Sequence, residues 1–181
     1  MDKSLIRTSK FLSLVLRHRP EIIGMTLDPE GWLDINTLLA NANSRGRAIT
    51  LEQLHDVVAT NDKQRFALSD DGMRIRANQG HSVRHVDLDL PAVQPPAHLY
   101  HGTVAQFLAS IRAQGLLKRS RNHVHLSADR ETAMKVGMRR GSPVVLTIAA
   151  GDMHAAGYRF YLSQNGVWLT DAVPPAFMIF P

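Results

Sequence analysis

Four short segments hold the residues able to do chemistry: Arg17-His18-Arg19-Pro20, Lys63-Gln64-Arg65-Phe66, Tyr100-His101-Gly102-Thr103 and Arg121-Asn122-His123-Val124-His125-Leu126-Ser127. They offer cations and small polar groups. Arginine supplies planar, permanently charged donors that suit phosphate oxygens. Histidine changes charge near neutrality and can move a proton. Taken singly, each arginine is more often a solvated surface residue. Cations at a helix C-terminus also complement its dipole, an effect of roughly 0.3–1 kcal/mol each. Read together, the segments suit an anionic substrate. Common catalytic templates are missing: there is no Walker phosphate loop, no G-x-G-x-x-G, no H-E-x-x-H and no serine in a nucleophile elbow. His123 and His125 share one face of a strand. Without a carboxylate companion they point to a structural or substrate-binding role, so no metal is expected.

The chain has 181 residues, a formal net charge of +5 and 44% hydrophobic residues. Its pI is near 10.0. That length and apolar content support real cores. The charge suits RNA, DNA or a nucleotide as partner. There is no cysteine, which excludes disulfides and thiolate metal sites. Met1-Asp2-Lys3-Ser4 runs straight into an amphipathic segment with no signal-peptide pattern, and no apolar run is long enough to span a bilayer. A cytoplasmic protein without membrane attachment is the expectation.

These segments need elements to position them. Leu5, Phe11, Leu12, Val15 and Leu16 recur at helical spacing up to Arg17, and Pro20 stops that helix. Asp34 caps a helix from Ile35 to about Ala42, and Thr50 with Gln53 forms a capping box for a helix from Leu51 to about Ala59. Residues 65–69 and 73–76 alternate as two strands around Asp70-Asp71-Gly72. That order resembles a winged helix with Arg65, Arg74 and Arg76 on the polar faces of the wing. Beyond a proline-rich stretch, Thr103 with Gln106 reads as a second capping box, and Gly115 ends its helix. His123–Leu126 is a short strand, Ser127 or Asp129 opens a further helix, and Pro143–Ile148 is a buried strand. Two strands flank Asn165-Gly166 as a hairpin. The expected fold is α+β, with residues 1–90 as the first lobe, 91–96 as a linker and 97–181 as the second lobe.

With those elements in place, the motifs resemble the NAD-dependent RNA 2′-phosphotransferase family over nearly the whole chain. The resemblance rests on Ser9-Lys10-Phe11-Leu12-Ser13 with Leu16-Arg17-His18, on residues 76–82, on Tyr100-His101-Gly102-Thr103, and on residues 121–127. Gly141-Ser142-Pro143-Val144-Val145-Leu146 and Asn165-Gly166-Val167-Trp168-Leu169-Thr170 complete it. It implies a winged-helix RNA-binding lobe joined to an ADP-ribosyltransferase-like lobe. It implies a catalytic set of Arg17, His18, Arg65 and Arg121. NAD, consumed as co-substrate, would be held by His101, Gly102 and Thr103, with His125 and Ser127 beside them. Val167 would stand where many ADP-ribosyltransferases carry a late glutamate. An RNA 2′-phosphate is already anionic, so it needs no base, and a carboxylate beside it would repel it.

The reaction so implied has two steps. The RNA 2′-phosphate displaces nicotinamide, giving ADP-ribosylated RNA. The ribose 2″-hydroxyl then attacks phosphorus, releasing 2′-hydroxyl RNA and ADP-ribose 1″,2″-cyclic phosphate. The expected partners are RNA carrying a 2′-phosphate and NAD, and the expected state is a monomer. Two rivals share many of the same features. One is an ADP-ribosyltransferase that caps terminal phosphates of RNA or DNA. The other is a non-enzymatic winged-helix regulator that binds nucleic acid.

Overall fold

A computed structural model describes residues 3–181. The chain divides into two compact units, one closing at Asp89 and the next beginning at Leu90. Both combine helices with short antiparallel strands in small sheets, so the class is α+β.

In the first unit, α1 (Lys3–Arg17) buries Phe11, Leu12, Val15 and Leu16. It ends because the residue before a proline is driven from helical geometry. Arg19 accordingly sits at φ −141°, ψ 60°, and Pro20 opens a 3-10 turn, Pro20–Ile23. β1 (Trp32–Asp34) runs into α2 (Ile35–Ser44), where Asp34 accepts from the Thr37 N–H at 2.8 Å. Thr50 and Gln53 close the capping box of α3 (Leu51–Ala59). Each cap satisfies N–H donors that the first helical turn leaves without partners. β2 (Phe66–Leu68) and β3 (Arg74–Ala77) form a hairpin, and β1 pairs with the far side of β3. The register aligns Leu33 with Ile75 and Ile75 with Leu68, so these side chains share the face that packs on the helices. Trp32, Arg74 and Arg76 take the opposite face.

The second unit runs β4 (Leu99–Val104), α4 (Leu108–Gln114), β5 (Leu116–Leu117), β6 (Val124–Leu126), α5 (Arg130–Gly137), β7 (Pro143–Ile148), α6 (Ala150–Ala155), β8 (Tyr161–Leu162), β9 (Trp168–Thr170), β10 (Ala172–Val173) and β11 (Met178–Ile179). One sheet has the order β11-β7-β4, another β6-β9-β8, and β5 pairs with β10. The first two sheets meet where Tyr100 and Ser127 exchange main-chain hydrogen bonds of 2.9 and 2.8 Å. Leu99, Leu126, Leu146, Ile148, Met153 and Phe160 are buried between these elements. The proline-rich stretch is tied to this unit: Val93 donates to the Phe160 carbonyl at 2.8 Å and Ala92 bridges to Tyr161. Among the described residues, no helix is long and apolar enough to cross a membrane.

The structure departs from local expectation at two places, Thr103 and the Asn165-Gly166 loop, and decides between the two caps offered for α5. Thr103 does not cap a helix. It is buried inside β4, paired with Val144, and the chain leaves the sheet only after Val104 into an uncapped 3-10 turn, Ala105–Phe107. Strand pairing has already claimed its backbone. Asp129, rather than Ser127, caps α5, accepting from the Thr132 N–H at 2.7 Å. The hairpin at Asn165-Gly166 uses a three-residue loop. Gly166 bonds back to the Ser163 carbonyl at 2.9 Å, Ser163 pairs with Val167 at 3.0 Å, and Gly166 is left-handed at φ 75°.

One glycine is dictated by packing. A Cβ on Gly102 would lie 1.7 Å from the Ala133 carbonyl oxygen and 2.9 Å from the Gly137 nitrogen, so α5 rests its backbone directly on β4. Gly102→Ala should therefore destabilise the second unit by about 3 kcal/mol or more through overpacking. Urea unfolding without any nucleotide should show that loss. An unchanged midpoint would mean that α5 can move aside.

Candidate functional site

In the first unit, one segment, residues 78–82, gathers the three expected residues. The Asn78 N–H donates to the Arg65 carbonyl at 2.9 Å, extending the β2–β3 ladder. Gly80, at φ 86°, lies against the Arg17 side chain, where a Cβ would approach Nη1 to 3.6 Å. Ser82 bonds the end of α1 through both its backbone and its side chain. Its N–H donates to the Arg17 carbonyl at 2.8 Å, and its hydroxyl bonds His18 Nδ1 at 2.9 Å. A hydroxyl can give or accept the proton in such a bond, so Ser82 holds the ring in both charge states. The Arg65 guanidinium reaches Asn61 Oδ1 at 3.5 Å, and Asn61 contacts Ser9 on α1 at 3.5 Å. Gln64, just before Arg65, sits at φ 41°; the Asn61 carbonyl accepts its N–H at 2.8 Å, and Asn78 donates to its carbonyl at 2.6 Å. Arg19 belongs elsewhere, in an exposed ion pair with Glu21 at 3.0 Å.

His81 explains what this gathering costs. It is only 2% exposed, and its Nε2 has no hydrogen-bond partner. Burial, reinforced by the charges of Arg17, His18 and Arg76, pushes its pKa down from 6.5 to about 4. The imidazole is therefore neutral near pH 7, behind a group of cations.

In the second unit, hydrogen bonds chain the expected residues together. Arg121 Nη1 donates to His125 Nδ1 at 3.2 Å, since guanidinium can only donate. His125 is therefore neutral, with its proton on Nε2. His101 Nδ1 donates to the His125 carbonyl at 3.1 Å, which leaves Nε2 of His101 as an acceptor. Burial holds the His101 pKa below its usual value, helped by Arg121 and Arg140. Burial also lowers the pKa of Arg121, and Arg140 and Arg139 add to it. Among the described residues, none of Arg121, Arg139 and Arg140 pairs with a carboxylate. Ser127 is fixed to Tyr100 by the paired main-chain bonds, and Thr103 is buried in β4. Val167 follows the hairpin loop, one residue before the Leu126–Trp168 pair. No group of three or more His, Cys, Asp or Glu among the described residues is placed to hold a metal ion.

Each unit thus gathers arginine and histidine side chains whose chemistry suits an anion. Sequence reasoning passed over Ser82, His81, Asn61 and Asn78, which position the first group, and Arg139 and Arg140, which add charge to the second. Residues 78–82 were visible as a motif but carried no role. A serine or asparagine shows none until the fold brings its partner close.

Comparison with known proteins agrees with this chemistry. Residues 3–172 match the model of the family described as RNA 2'-phosphotransferase, Tpt1 / KptA family. The chain is 67% identical to a protein named "Probable RNA 2'-phosphotransferase" from Rhodopirellula baltica, over 99% of this chain and 98% of the relative. It is 55% identical to one of the same name from Streptomyces griseus, over 98% and 97% of the two chains. A third, from Pseudomonas aeruginosa, is 58% identical over 97% of each. The chain belongs to the RNA 2′-phosphotransferase family.

His81 gives a pH test of the first group. Its folded pKa is depressed, so between pH 6.5 and about 4 the unfolded chain binds a proton that the folded chain refuses. Stability should fall as pH falls through that window, by about 3 kcal/mol from this group. His81→Asn should remove that part of the slope. Urea unfolding followed by Trp32 fluorescence in a Trp168→Phe background isolates the first unit. Equal slopes in the two proteins would contradict the neutral, charge-crowded His81.

Proposed function

We propose that the protein removes an internal 2′-phosphate from RNA by transferring it to NAD. The products are RNA with a 2′-hydroxyl, ADP-ribose 1″,2″-cyclic phosphate and nicotinamide. The observation that carries this reading is the segment 78–82, which ties Arg17, His18 and Arg65 into one group in a chain of this family. Three helices with the β1-β3-β2 sheet support a winged-helix reading of the first unit, with β2–β3 as the wing. Two three-stranded sheets joined at Tyr100 and Ser127 support an ADP-ribosyltransferase-like reading of the second.

The second unit's residues fit NAD. Arg139 and Arg140 suit its pyrophosphate, and the Nε2 acceptor of neutral His101 suits a hydroxyl or amide donor. His125 and Ser127 frame the same place, and Gly102 with Thr103 keeps β4 flat against α5. Bound NAD would supply an anomeric carbon carrying nicotinamide as leaving group. Arg17 and Arg65 orient the RNA 2′-phosphate for attack on that carbon, and Arg121 is assigned to the same phosphoryl group. In the second step the ribose 2″-hydroxyl attacks phosphorus and the RNA 2′-oxygen departs. His18, steadied by Ser82, takes the proton of the first and returns it to the second. Val167 places no carboxylate beside the anion.

The test is incubation with NAD and a short RNA bearing one internal 2′-phosphate, with all products weighed by mass spectrometry. Turnover should need NAD and persist in chelator, because cations of the chain do the work. A persistent ADP-ribosylated RNA end would instead identify a capping enzyme. Duplex binding without NAD consumption would identify a regulator. Arg65→Ala or Arg121→Ala should lower activity by roughly ten- to a few-hundred-fold, the equivalent of one charge-assisted hydrogen bond. His18→Ala should let ADP-ribosylated RNA accumulate. Arg74→Ala, whose guanidinium faces Asp28 at 3.8 Å, should keep the chemistry and serves as control.

A further inference from the structure

Arg76 is a cation that the proposed chemistry leaves unused. β3 sets it on the outer face of the first unit's sheet, opposite Trp32 on β1 and Ala67 on β2. Its guanidinium lies over the Trp32 ring, 4.4 Å from the centroid. Among the described residues it has no carboxylate partner, unlike Arg74 on the same strand. Its Nε is buried and makes no hydrogen bond. Two residues on, along the same face, Asn78 carries a second unmet group. Its side-chain nitrogen donates to the Gln64 carbonyl, whereas its buried Oδ1 accepts from nothing. An unmet donor and an unmet acceptor on one strand face are costly unless a ligand of the opposite pattern meets them.

Arg76 also adjoins the group assigned to the RNA phosphate. Its charge acts with those of Arg17 and His18 on the His81 imidazole. The chemistry of the substrate then matters. An internal 2′-phosphate always has a phosphodiester on the neighbouring ribose carbon. A site that grips the first anion must also receive the second, and a single set of donors does not neutralise both.

Resting on the functional reading above, we propose that Arg76, held by Trp32, binds the 3′-phosphodiester next to the 2′-phosphate and so selects internal over terminal 2′-phosphates. Asn78 Oδ1 accepts a hydroxyl or amino hydrogen from the same nucleotide. Trp32 is a positioning residue: its ring holds the guanidinium where no carboxylate does.

The test uses the full chain, NAD and two RNAs of one sequence. One carries the 2′-phosphate internally. The other carries it on the last nucleotide, with a free 3′-hydroxyl. The wild-type protein should have the higher kcat/KM on the internal substrate. Arg76→Ala should shrink that ratio by roughly ten- to a hundred-fold, the worth of one charge-assisted hydrogen bond. Arg76→Lys, which keeps the charge, should restore part of it. The salt dependence of binding the internal RNA should also weaken by about 0.7 in log–log slope, because one fewer phosphate of a single strand is neutralised. Equal loss on both RNAs, or an unchanged ratio, would overturn the assignment. If the wild-type protein turns over neither RNA, the functional reading fails. Binding of the internal RNA without NAD then decides this subsite separately, and equal affinity for wild type and Arg76→Ala would reject it.

Discussion

Positive charges in this protein are set close to one another. Arg121 stands with Arg139 and Arg140, and burial together with those neighbours weakens its hold on its own proton. Burial keeps the His81 imidazole neutral, and the charges of Arg17, His18 and Arg76 all add to that. Like charges at short range in a partly desolvated setting raise the free energy of the folded chain. An arriving anion reverses the sign of that cost. On the proposed reading, this arrangement orients and neutralises a phosphate. Arginine suits this better than lysine, because its fork grips two oxygens and its charge survives burial.

Holding such groups in place requires neutral scaffolding. In the first unit it comes from amide, hydroxyl and backbone groups of Asn61, Asn78 and Ser82. In the second unit the scaffold is a neutral histidine: His125 accepts from Arg121 on its ring and from His101 on its carbonyl. Among the described residues, Arg121, Arg139 and Arg140 are thus positioned without a carboxylate partner. The close seat of α5 on Gly102 serves the same end by keeping β4, and so His101, in a fixed place.

Much of the local structure was legible in the sequence because it depends on near neighbours. Asp34 and Thr50 cap helices through bonds three residues away, and Pro20 ends α1 through its own ring. Thr103 misled for the opposite reason. Its side-chain pattern is that of a cap, but pairing with β7, some forty residues later, holds it in a strand. The cations of the site were legible by type and by family resemblance. Their supports were not. Ser82 meets His18 across 64 residues, and nothing in either residue announces the other. Gly102 was legible as part of a nucleotide-binding motif, yet its geometry answers first to helix packing. Arg139 and Arg140 carried no reading in the sequence, and only the fold sets their charges on Arg121.

The central claim is that the phosphate passes to a sugar hydroxyl and never to water. The most direct measurement is the reaction run in water enriched in ¹⁸O, with mass analysis of every phosphorus-containing product and of the RNA. The account predicts unlabelled RNA and unlabelled ADP-ribose cyclic phosphate, since each oxygen in them comes from the two substrates. Release of inorganic phosphate carrying one ¹⁸O would show direct hydrolysis, and would contradict it.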